Sequence, residues 1–329
     1  MTPALFLAAV LASAVPAPGA QESPAATPAP DSVLARRLYF AALDRQAEFD
    51  YDSSLTLMRA ARAADPSDLA IHDQVIWLTA DWQPDGLATV RREYAALPDS
   101  PLVGCLRSRL AVASDNEAAA APALFELESR YPDEACPVVL LSRLLRVFKP
   151  EHEWKVRRLD YLARAVELAP GLPGARTHYA AALADEGRFD EADRAYAEAV
   201  AALQHPMYAI PLHMRRAGTL IVRGDVAEAE ALRRAVEQAV ERDGRPGVRF
   251  MYLRELGSFT NVPAQMLGSM DASLRAQAQL ARDHGAWLWE WYVHYGQGMR
   301  LTNRGEPLAA LAELDRAVHL ADSVGMPGN

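Results

Sequence analysis

Side chains that could carry out enzymatic chemistry are present in this 329-residue sequence, but they do not form a recognisable catalytic motif. There is no G-x-S-x-G elbow, H-E-x-x-H pair, phosphate-binding loop or G-x-G-x-x-G fingerprint. A metal site needs three or four converging ligands, whereas His72, His152 and His178 have no second histidine or cysteine at ligand spacing. Neighbouring carboxylates such as Asp190 and Glu191 are most simply solvated helix faces. The sequence therefore predicts no catalytic residues, no metal site and no cofactor.

The residues best suited to binding lie in the stretch GAWLWEWYVHYGQGM, residues 285–299, which holds three tryptophans and two tyrosines. A helix at about 100° per residue would separate these side chains into two faces. The face predicted to be core carries Trp287, Leu288, Trp291, Tyr292, Tyr295, Gly298 and Met299. The opposite face carries Trp289, Glu290, Val293, Gln297 and Arg300.

The second face combines an indole ring with charged and amide side chains. Aromatic and arginine residues carry much of the energy at binding interfaces, so we predict that this face contacts a partner. The alternative is that Trp289 packs into the preceding hairpin. Truncation of Trp289 would then lower stability by several kcal/mol, as truncation of a core aromatic does.

The charge balance disfavours some classes of partner. The chain has 34 basic and 43 acidic residues, which give a net charge of −9. A surface of that sign repels phosphate backbones and anionic lipid. We therefore predict no nucleic-acid partner and no binding to membrane surfaces.

The N-terminus, MTPALFLAAVLASAVPAPGA, has the features of a secretory signal peptide. An apolar run from Ala4 to Ala12 precedes several small residues, although no Lys or Arg precedes the run. A disordered Ala/Pro-rich tail is the alternative. The run is too short to span a bilayer core of about 30 Å. We predict a signal peptide over residues 1–20, a Pro/Ala-rich linker over 21–33, and a protein that is released into a periplasm or secreted, without membrane insertion.

From residue 34 to residue 329 the apolar pattern is helical. In AALADEGRFDEADRAYAEAV, Gly187 is placed to end one helix, and Ala192, Tyr196 and Ala199 form one stripe of the next. Prolines at 66, 98, 132 and 170 are separated by 32, 34 and 38 residues. The pattern predicts a single repeat domain with a period near 34 residues.

These residues resemble the tetratricopeptide repeat pattern of a turn glycine followed by an aromatic and then small, large and small positions. The matching positions are Gly187, Phe189, Ala192, Tyr196 and Ala199; Tyr51, Met58, Ala61 and Pro66; Gly305, Ala310, Leu314 and Ala317; and, more weakly, Gly224 and Ala229. The resemblance implies an all-α solenoid of about eight helical hairpins, wound as a right-handed superhelix with the first helix of each hairpin on the concave side. Proteins of this family usually hold extended peptides or protein partners.

We therefore expect a non-catalytic scaffold that binds a protein or peptide through its concave face. One alternative is a sensory or regulatory array of a larger protein, with an effector domain beyond residue 329. A second alternative is a helical hydrolase whose motif is not recognised.

The only two cysteines, Cys105 and Cys136, are predicted near the starts of two successive first helices. The chain runs along one hairpin and back between them, which brings both to the same end of the solenoid. An exported protein with an even number of cysteines can form a disulfide. The alternative is that the two cysteines are separate buried thiols that act as small hydrophobic residues.

Overall fold

The computed structural model describes residues 30–83, 85–111, 119–144, 152–203, 205–258 and 267–323. Sixteen helices make up 85% of these residues, which contain no strand. The predicted signal peptide and most of the predicted linker lie outside the described residues. Within the described part of the chain, no helix is both long enough and apolar enough to cross a membrane.

The helices are α1 (Ser32–Ala47), α2 (Tyr51–Ala64), α3 (Leu69–Trp82), α4 (Gly86–Ala96), α5 (Pro101–Leu110), α6 (Ala121–Arg130), α7 (Ala135–Leu144), α8 (His152–Leu168), α9 (Pro173–Asp185), α10 (Phe189–Ala202), α11 (Pro206–Arg223), α12 (Val226–Asp243), α13 (Pro246–Ser258), α14 (Leu267–Asp283), α15 (Trp287–Asn303) and α16 (Pro307–Ser323). Consecutive helices pack as pairs, from α1 with α2 to α15 with α16. The described residues therefore contain the predicted all-α solenoid of eight tetratricopeptide-like hairpins.

The helix boundaries follow from local side-chain chemistry. The carboxylates of Asp50 and Asp68 accept hydrogen bonds from backbone N–H groups in the first turns of α2 and α3, which otherwise have no intrahelical partner. The second helices α2, α4, α6 and α8 each end two residues before a proline, at positions 66, 98, 132 and 170. A proline disfavours helical backbone in the preceding residue, so the predicted helix ends are confirmed.

The turns between first and second helices use glycine where the backbone is left-handed. Gly187, Gly224 and Gly305 have φ angles of +75°, +103° and +74°. A side chain at such a φ angle would be strained, whereas glycine adopts it without a steric penalty. These three glycines were predicted as turn positions, and each lies between the two helices of one hairpin.

Small and large side chains alternate where hairpins stack, as the resemblance implies. Ala192 and Ala199 are fully buried, and Tyr196 between them is 2% exposed. Met58 and Ala61 of α2 are likewise fully buried. The alanines allow close approach of neighbouring helices, while the larger side chains fill the space between hairpins.

The first helix begins slightly earlier than predicted. The linker was predicted to extend to residue 33, but α1 begins at Ser32. The carboxylate of Asp31 accepts a hydrogen bond of 2.9 Å from the backbone N–H of Leu34, and this cap fixes the start of the helix. The linker prediction is therefore wrong for its last two residues.

The array curves until late hairpins contact the first ones. Gly247 of α13 lies against α1, where an added Cβ atom would be 2.7 Å from the carbonyl oxygen of Gln46. The hydroxyl groups of Tyr39 in α1 and Tyr208 in α11 are 2.9 Å apart. Asp44 of α1 accepts a hydrogen bond from the Arg245 guanidinium. We call the contacts of α1–α3 with residues 205–215 and with α13 and α15 the closing interface.

The two cysteines are brought together by adjacent first helices. Cys105 of α5 and Cys136 of α7 are both fully buried. Their Cα atoms are 6.2 Å apart and their sulfur atoms are bonded. This Cα separation lies within the usual range for a disulfide.

Candidate ligand-binding cavity

The concave side of the solenoid encloses a cavity of about 1080 Å³. Its wall is formed mainly by the first helices of successive hairpins, α3, α5, α7, α9, α11, α13 and α15. Pockets that hold small ligands typically measure about 300–1,000 Å³. The cavity is therefore large enough for a small molecule or a short segment of polypeptide.

Helix α3 contributes one stripe of its surface to the wall. Asp73, Trp77 and Asp81 are spaced four residues apart and all line the cavity. Residues at this spacing lie on one face of a helix. The stripe places an indole ring between two carboxyl groups.

The predicted partner-binding face of α15 is only partly on the cavity. Trp289, Val293 and Arg300 line it, whereas Glu290 and Gln297 do not. Glu290 instead accepts a hydrogen bond of 2.9 Å from Arg282. At 100° per residue, Glu290 and Gln297 lie about 80–100° around the helix from Trp289. The stripe on the cavity is centred on Trp289 and also includes Tyr292 and Gly296.

The predicted core face of α15 is wrong for several of its members. Tyr292, Tyr295 and Met299 are 38%, 43% and 44% exposed. Leu288 is buried, and Gly298 is so close to α16 that an added Cβ atom would be 2.6 Å from the Leu314 side chain. Part of the apolar surface of α15 is buried by contacts across the closing interface. Those contacts join residues far apart in the sequence, so local periodicity does not predict them.

Trp289 is the centre of an aromatic cluster in the cavity wall and is 7% exposed. Its ring centroid is 5.0 Å from that of Phe250 and 5.9 Å from that of Trp77. Its indole N–H donates a hydrogen bond to the hydroxyl of Tyr51, and the Arg254 guanidinium lies 6.0 Å from the ring centroid. Trp289 therefore packs against the preceding hairpin, as the alternative interpretation stated, and also lines the cavity.

Charged side chains form a second part of the wall. Asp73 accepts hydrogen bonds from Arg143 at 3.1 Å and from Arg109 at 3.4 Å. Burial alone would raise the pKa of Asp73, but the two guanidinium groups hold it below its usual value. The carboxylate thus stays ionised and fixes the positions of two arginines on different hairpins.

A second carboxylate binds two arginines on the opposite part of the array. Glu255 is 4% exposed and accepts hydrogen bonds from Arg215 at 3.2 Å and from Arg254 at 3.0 Å. Both arginines line the cavity. As around Asp73, one acid contacts two arginines, although Glu255 is buried and the Asp73 side chain is 27% exposed.

The remaining acid in the wall, Asp81, has a raised pKa. Burial raises the pKa of Asp81, although the hydroxyl of Tyr292 donates a hydrogen bond of 3.0 Å to it. Five arginines line the cavity, namely 109, 143, 215, 254 and 300, against Asp73, Asp81 and the adjoining Glu255. Among the described residues, the formal charge of the wall is therefore positive, whereas the net charge of the chain is −9.

Most of these charged residues were not predicted as site residues. No local motif marks these residues as functional, because each is a single charge in a helical stretch. They are Asp73, Arg109, Arg143, Arg215 and Arg254. Their signal is the spacing, which is 36, 34 and then 72 and 39 residues along the chain. Side chains that recur near the repeat period occupy equivalent positions on successive hairpins.

The described residues contain no group of three or more His, Cys, Asp or Glu side chains that could hold a metal ion. Asp73, Asp81 and Glu255 are engaged with side chains of the wall, through contacts with four arginines or the Asp81–Tyr292 hydrogen bond. The wall is suited to non-covalent recognition through aromatic surface and fixed positive charge.

The fold and the cavity define an α-solenoid of tetratricopeptide-like hairpins. No protein-family model matches the chain, and no curated protein matches it. Solved structures to which the chain is similar include YrrB, described as a TPR protein with an unusual peptide-binding site, at 17% identity and a TM-score of 0.29 over 61% of this chain and 93% of that chain. Another is the human IFIT1 dimer with m7Gppp-AAAA, at 14% identity and a TM-score of 0.38 over 87% and 77%.

Proposed function

We propose that this protein is a non-catalytic scaffold that binds a segment of polypeptide in the cavity on its concave side. The observation that carries the proposal is the cavity itself, which has a volume of about 1080 Å³ and a wall built from seven successive first helices. Each hairpin contributes a narrow strip of surface to the wall, so the binding surface extends along several hairpins. Such a surface fits an elongated ligand better than a compact one. Trp77, Phe250 and Trp289 provide rigid aromatic surface for such a ligand.

We also propose that the protein acts outside the cytoplasm, in a periplasm or as a secreted protein. The apolar run and small residues of the N-terminus support export. The bonded sulfur atoms of Cys105 and Cys136 are consistent with an oxidising compartment. A polypeptide is the favoured class of partner because the net charge of −9 opposes the approach of a nucleic acid.

Blocking the cavity without disturbing the fold tests this function. Gly296 lines the cavity, and an added Cβ atom there would have no neighbour within 4 Å. The variant Gly296→Phe should therefore place a bulky ring in the cavity, where it obstructs a ligand, while the helix remains intact. Gly104 of α5 has equally open surroundings but does not line the cavity, so Gly104→Phe is a matched control.

The measurement is a selection from a random peptide display library against the full-length protein, followed by fluorescence anisotropy of the selected peptides. We expect the peptides to bind the wild-type protein and Gly104→Phe, and to lose at least tenfold in affinity for Gly296→Phe. The proposed function would be wrong if no peptide were enriched, or if the selected peptides bound Gly296→Phe as tightly as the wild-type protein.

A further inference from the structure

Basic residues of the cavity wall recur at the period of the repeat. Arg109, Arg143, His178, Arg215 and Arg254 all line the cavity. Successive members are separated by 34, 35, 37 and 39 residues, and each lies on the next first helix of the array. Because stacked hairpins present equivalent positions side by side, the five side chains form a curved row on the concave surface. We call this row the basic row.

Four arginines of the basic row are held in place by two acids, the half-buried Asp73 and the buried Glu255. Asp73 contacts Arg109 and Arg143, and Glu255 contacts Arg215 and Arg254. Each acid carries one negative charge for two guanidinium groups, and the described lining of the cavity has five arginines against two acids. An arginine whose position is already fixed loses less conformational freedom when it binds a ligand. The two clusters are therefore preorganised for an anionic group.

The charge of the cavity wall is opposite in sign to the net charge of the protein. The chain carries a net charge of −9, yet arginines outnumber acids among the cavity-lining residues that the structure describes. A cavity lined by one sign of charge, with poorly polarisable walls, concentrates its field and attracts ions of the opposite sign. This difference in charge favours a ligand that places its negative charges inside the cavity and carries few negative charges in the part that lies outside, near the acidic surface.

This condition distinguishes a carboxylate-bearing peptide from a nucleic acid. A nucleic acid carries a charge at every nucleotide, so the part outside the cavity would face the acidic surface. A polypeptide can carry two or three acidic side chains within an otherwise neutral sequence. Carboxylates also match the planar guanidinium group, which can bind them through two parallel hydrogen bonds.

An apolar wall lies directly beside the basic row. Arg254 of the row is 6.0 Å from the ring of Trp289, which packs against Trp77 and Phe250. On α3, Asp73 of the first cluster is one turn from Trp77. A ligand that reaches the guanidinium groups therefore also contacts aromatic rings.

We propose that the cavity selects acidic polypeptide segments in which aspartate or glutamate stands close to an aromatic or aliphatic residue. The carboxylates bind the arginines of the basic row, and the apolar neighbour packs against Trp77, Phe250 and Trp289. This inference rests on the proposed function, since it names the chemistry of the segment bound at the same site.

The amino-acid composition of library-selected peptides tests the proposal. The same random display library is selected against the full-length wild-type protein and against the double variant Arg143→Gln/Arg215→Gln, which removes one arginine from each cluster. The control is Arg188→Gln, because Arg188 is an exposed arginine of the α9–α10 turn that pairs with Glu191 and lies outside the cavity. Only peptides that lose binding to Gly296→Phe are counted, so that binding to the outer surface is ignored.

We expect aspartate and glutamate to outnumber lysine and arginine severalfold in the cavity-dependent peptides of the wild-type protein and of Arg188→Gln. Glutamine and asparagine versions of these peptides should bind about tenfold more weakly, and affinity should fall as salt is added. The double variant should show neither the acidic preference nor the tenfold difference. Melting temperatures of all variants are measured alongside.

Three outcomes would overturn the proposal. Cavity-dependent peptides that are neutral or basic would leave the proposed function standing and remove its acidic specificity. A double variant that melts at a lower temperature but selects the same acidic peptides would make the basic row a stabilising network only. A single-stranded RNA 10-mer that binds the cavity more tightly than any selected peptide would assign the positive charge to phosphate, and the polypeptide assignment would then fail as well.

Discussion

The indole N–H of Trp289 in α15 donates a hydrogen bond to the hydroxyl of Tyr51 in α2, across 238 positions of the sequence. Both side chains are buried, and burial raises the pKa of the Tyr51 hydroxyl well above its usual value. The hydroxyl therefore stays protonated over the physiological range. This contact joins the last hairpin of the described array to the first, and at the same point it forms part of the cavity wall.

Truncation of Trp289 should destabilise the protein. Trp289→Ala removes a ring that packs against Phe250 and Trp77 and leaves the Tyr51 hydroxyl without its donor. The expected loss is about 3–5 kcal/mol of unfolding free energy, as for other buried aromatic truncations. Tyr295→Ala on the same helix is the control, because Tyr295 is 43% exposed and should cost less than about 1 kcal/mol. Urea denaturation of the two variants measures the difference, and equal losses would contradict the packing role of Trp289.

The close approach of α13 to α1 should make Gly247 intolerant of a methyl group. An added Cβ atom would lie 2.7 Å from the Gln46 carbonyl oxygen and 2.8 Å from the Ala47 Cα atom, and this backbone cannot move aside independently of α1. Gly247→Ala should lower the melting temperature by several degrees and enlarge the radius of gyration in small-angle X-ray scattering.

Gly104→Ala provides the matched control for that experiment. Its Cβ atom would have open space, and alanine in a helix is favoured over glycine by about 0.5–1 kcal/mol. We expect the control to be equally or more stable than the wild-type protein. An unchanged melting temperature for Gly247→Ala would mean that the contact of α13 with α1 is looser than described.

Stability should fall as the pH is lowered from about 7.5 to 5.5. Burial lowers the pKa of His72, His205 and His213 below the ordinary value of 6.5. The unfolded chain therefore binds more protons than the folded protein in this window. The stability that these neutral histidines allow is fully present above their unfolded pKa and is lost as the pH falls towards their folded pKa.

Substitution of a buried histidine should flatten this pH dependence. His72→Gln removes one of the three groups and should reduce the slope of unfolding free energy against pH, measured by urea denaturation at several pH values. His319→Gln is the control, because His319 is exposed and lies near the end of α16. A slope that His72→Gln leaves unchanged would show that protonation of His72 is not coupled to unfolding.

The disulfide should form in the exported protein. Cys105 and Cys136 enclose a sequence separation of 31 residues, for which the chain-entropy treatment gives about 3–4 kcal/mol of stabilisation. Intact-mass analysis after alkylation should show no modified thiol without reductant and two modified thiols with it. The double variant Cys105→Ser/Cys136→Ser should melt at a lower temperature in oxidising buffer. Two alkylated thiols in the non-reduced protein would refute the bridge.

Cleavage of the N-terminus should accompany export. The apolar run ends at Ala12 and is followed by small residues at which signal peptidases cut. N-terminal sequencing of the processed protein should find a start between Val15 and Gln21. A product that retains Met1 or Thr2 and stays in the cytoplasm would show that the N-terminus is not a signal peptide.

The hairpins could be predicted from the sequence because their determinants are local. Gly187 and Gly305 mark left-handed turns, and Pro66 and Pro170 follow helix ends. Ala192 stands at a small buried position that recurs with the repeat. Each signal acts within one hairpin or between neighbours, which is the range over which periodicity can be read.

The cavity could not be predicted in the same way because it depends on where the curved array closes. The two faces of α15 were assigned from periodicity, but Tyr292 is partly exposed while Trp289 is buried against Tyr51 and Trp77. Contacts between the ends of an array depend on its accumulated curvature, to which every hairpin contributes a small angle. The basic row is the intermediate case, since its spacing is visible in the sequence but its convergence on one cavity is not.

The closing interface changes how such a chain can reach its final state. In an open repeat array each hairpin is stable once its neighbour is in place, so the structure can grow from either end. Here the Tyr51 hydroxyl can accept the hydrogen bond from Trp289 only after residue 289 has been synthesised. The first hairpin therefore lacks this contact while the rest of the chain is made. A chain cut short before α15 would keep the residues of α11 and α13 that contact α1, but it would lack Trp289, the donor to Tyr51, and with it one side of the cavity wall.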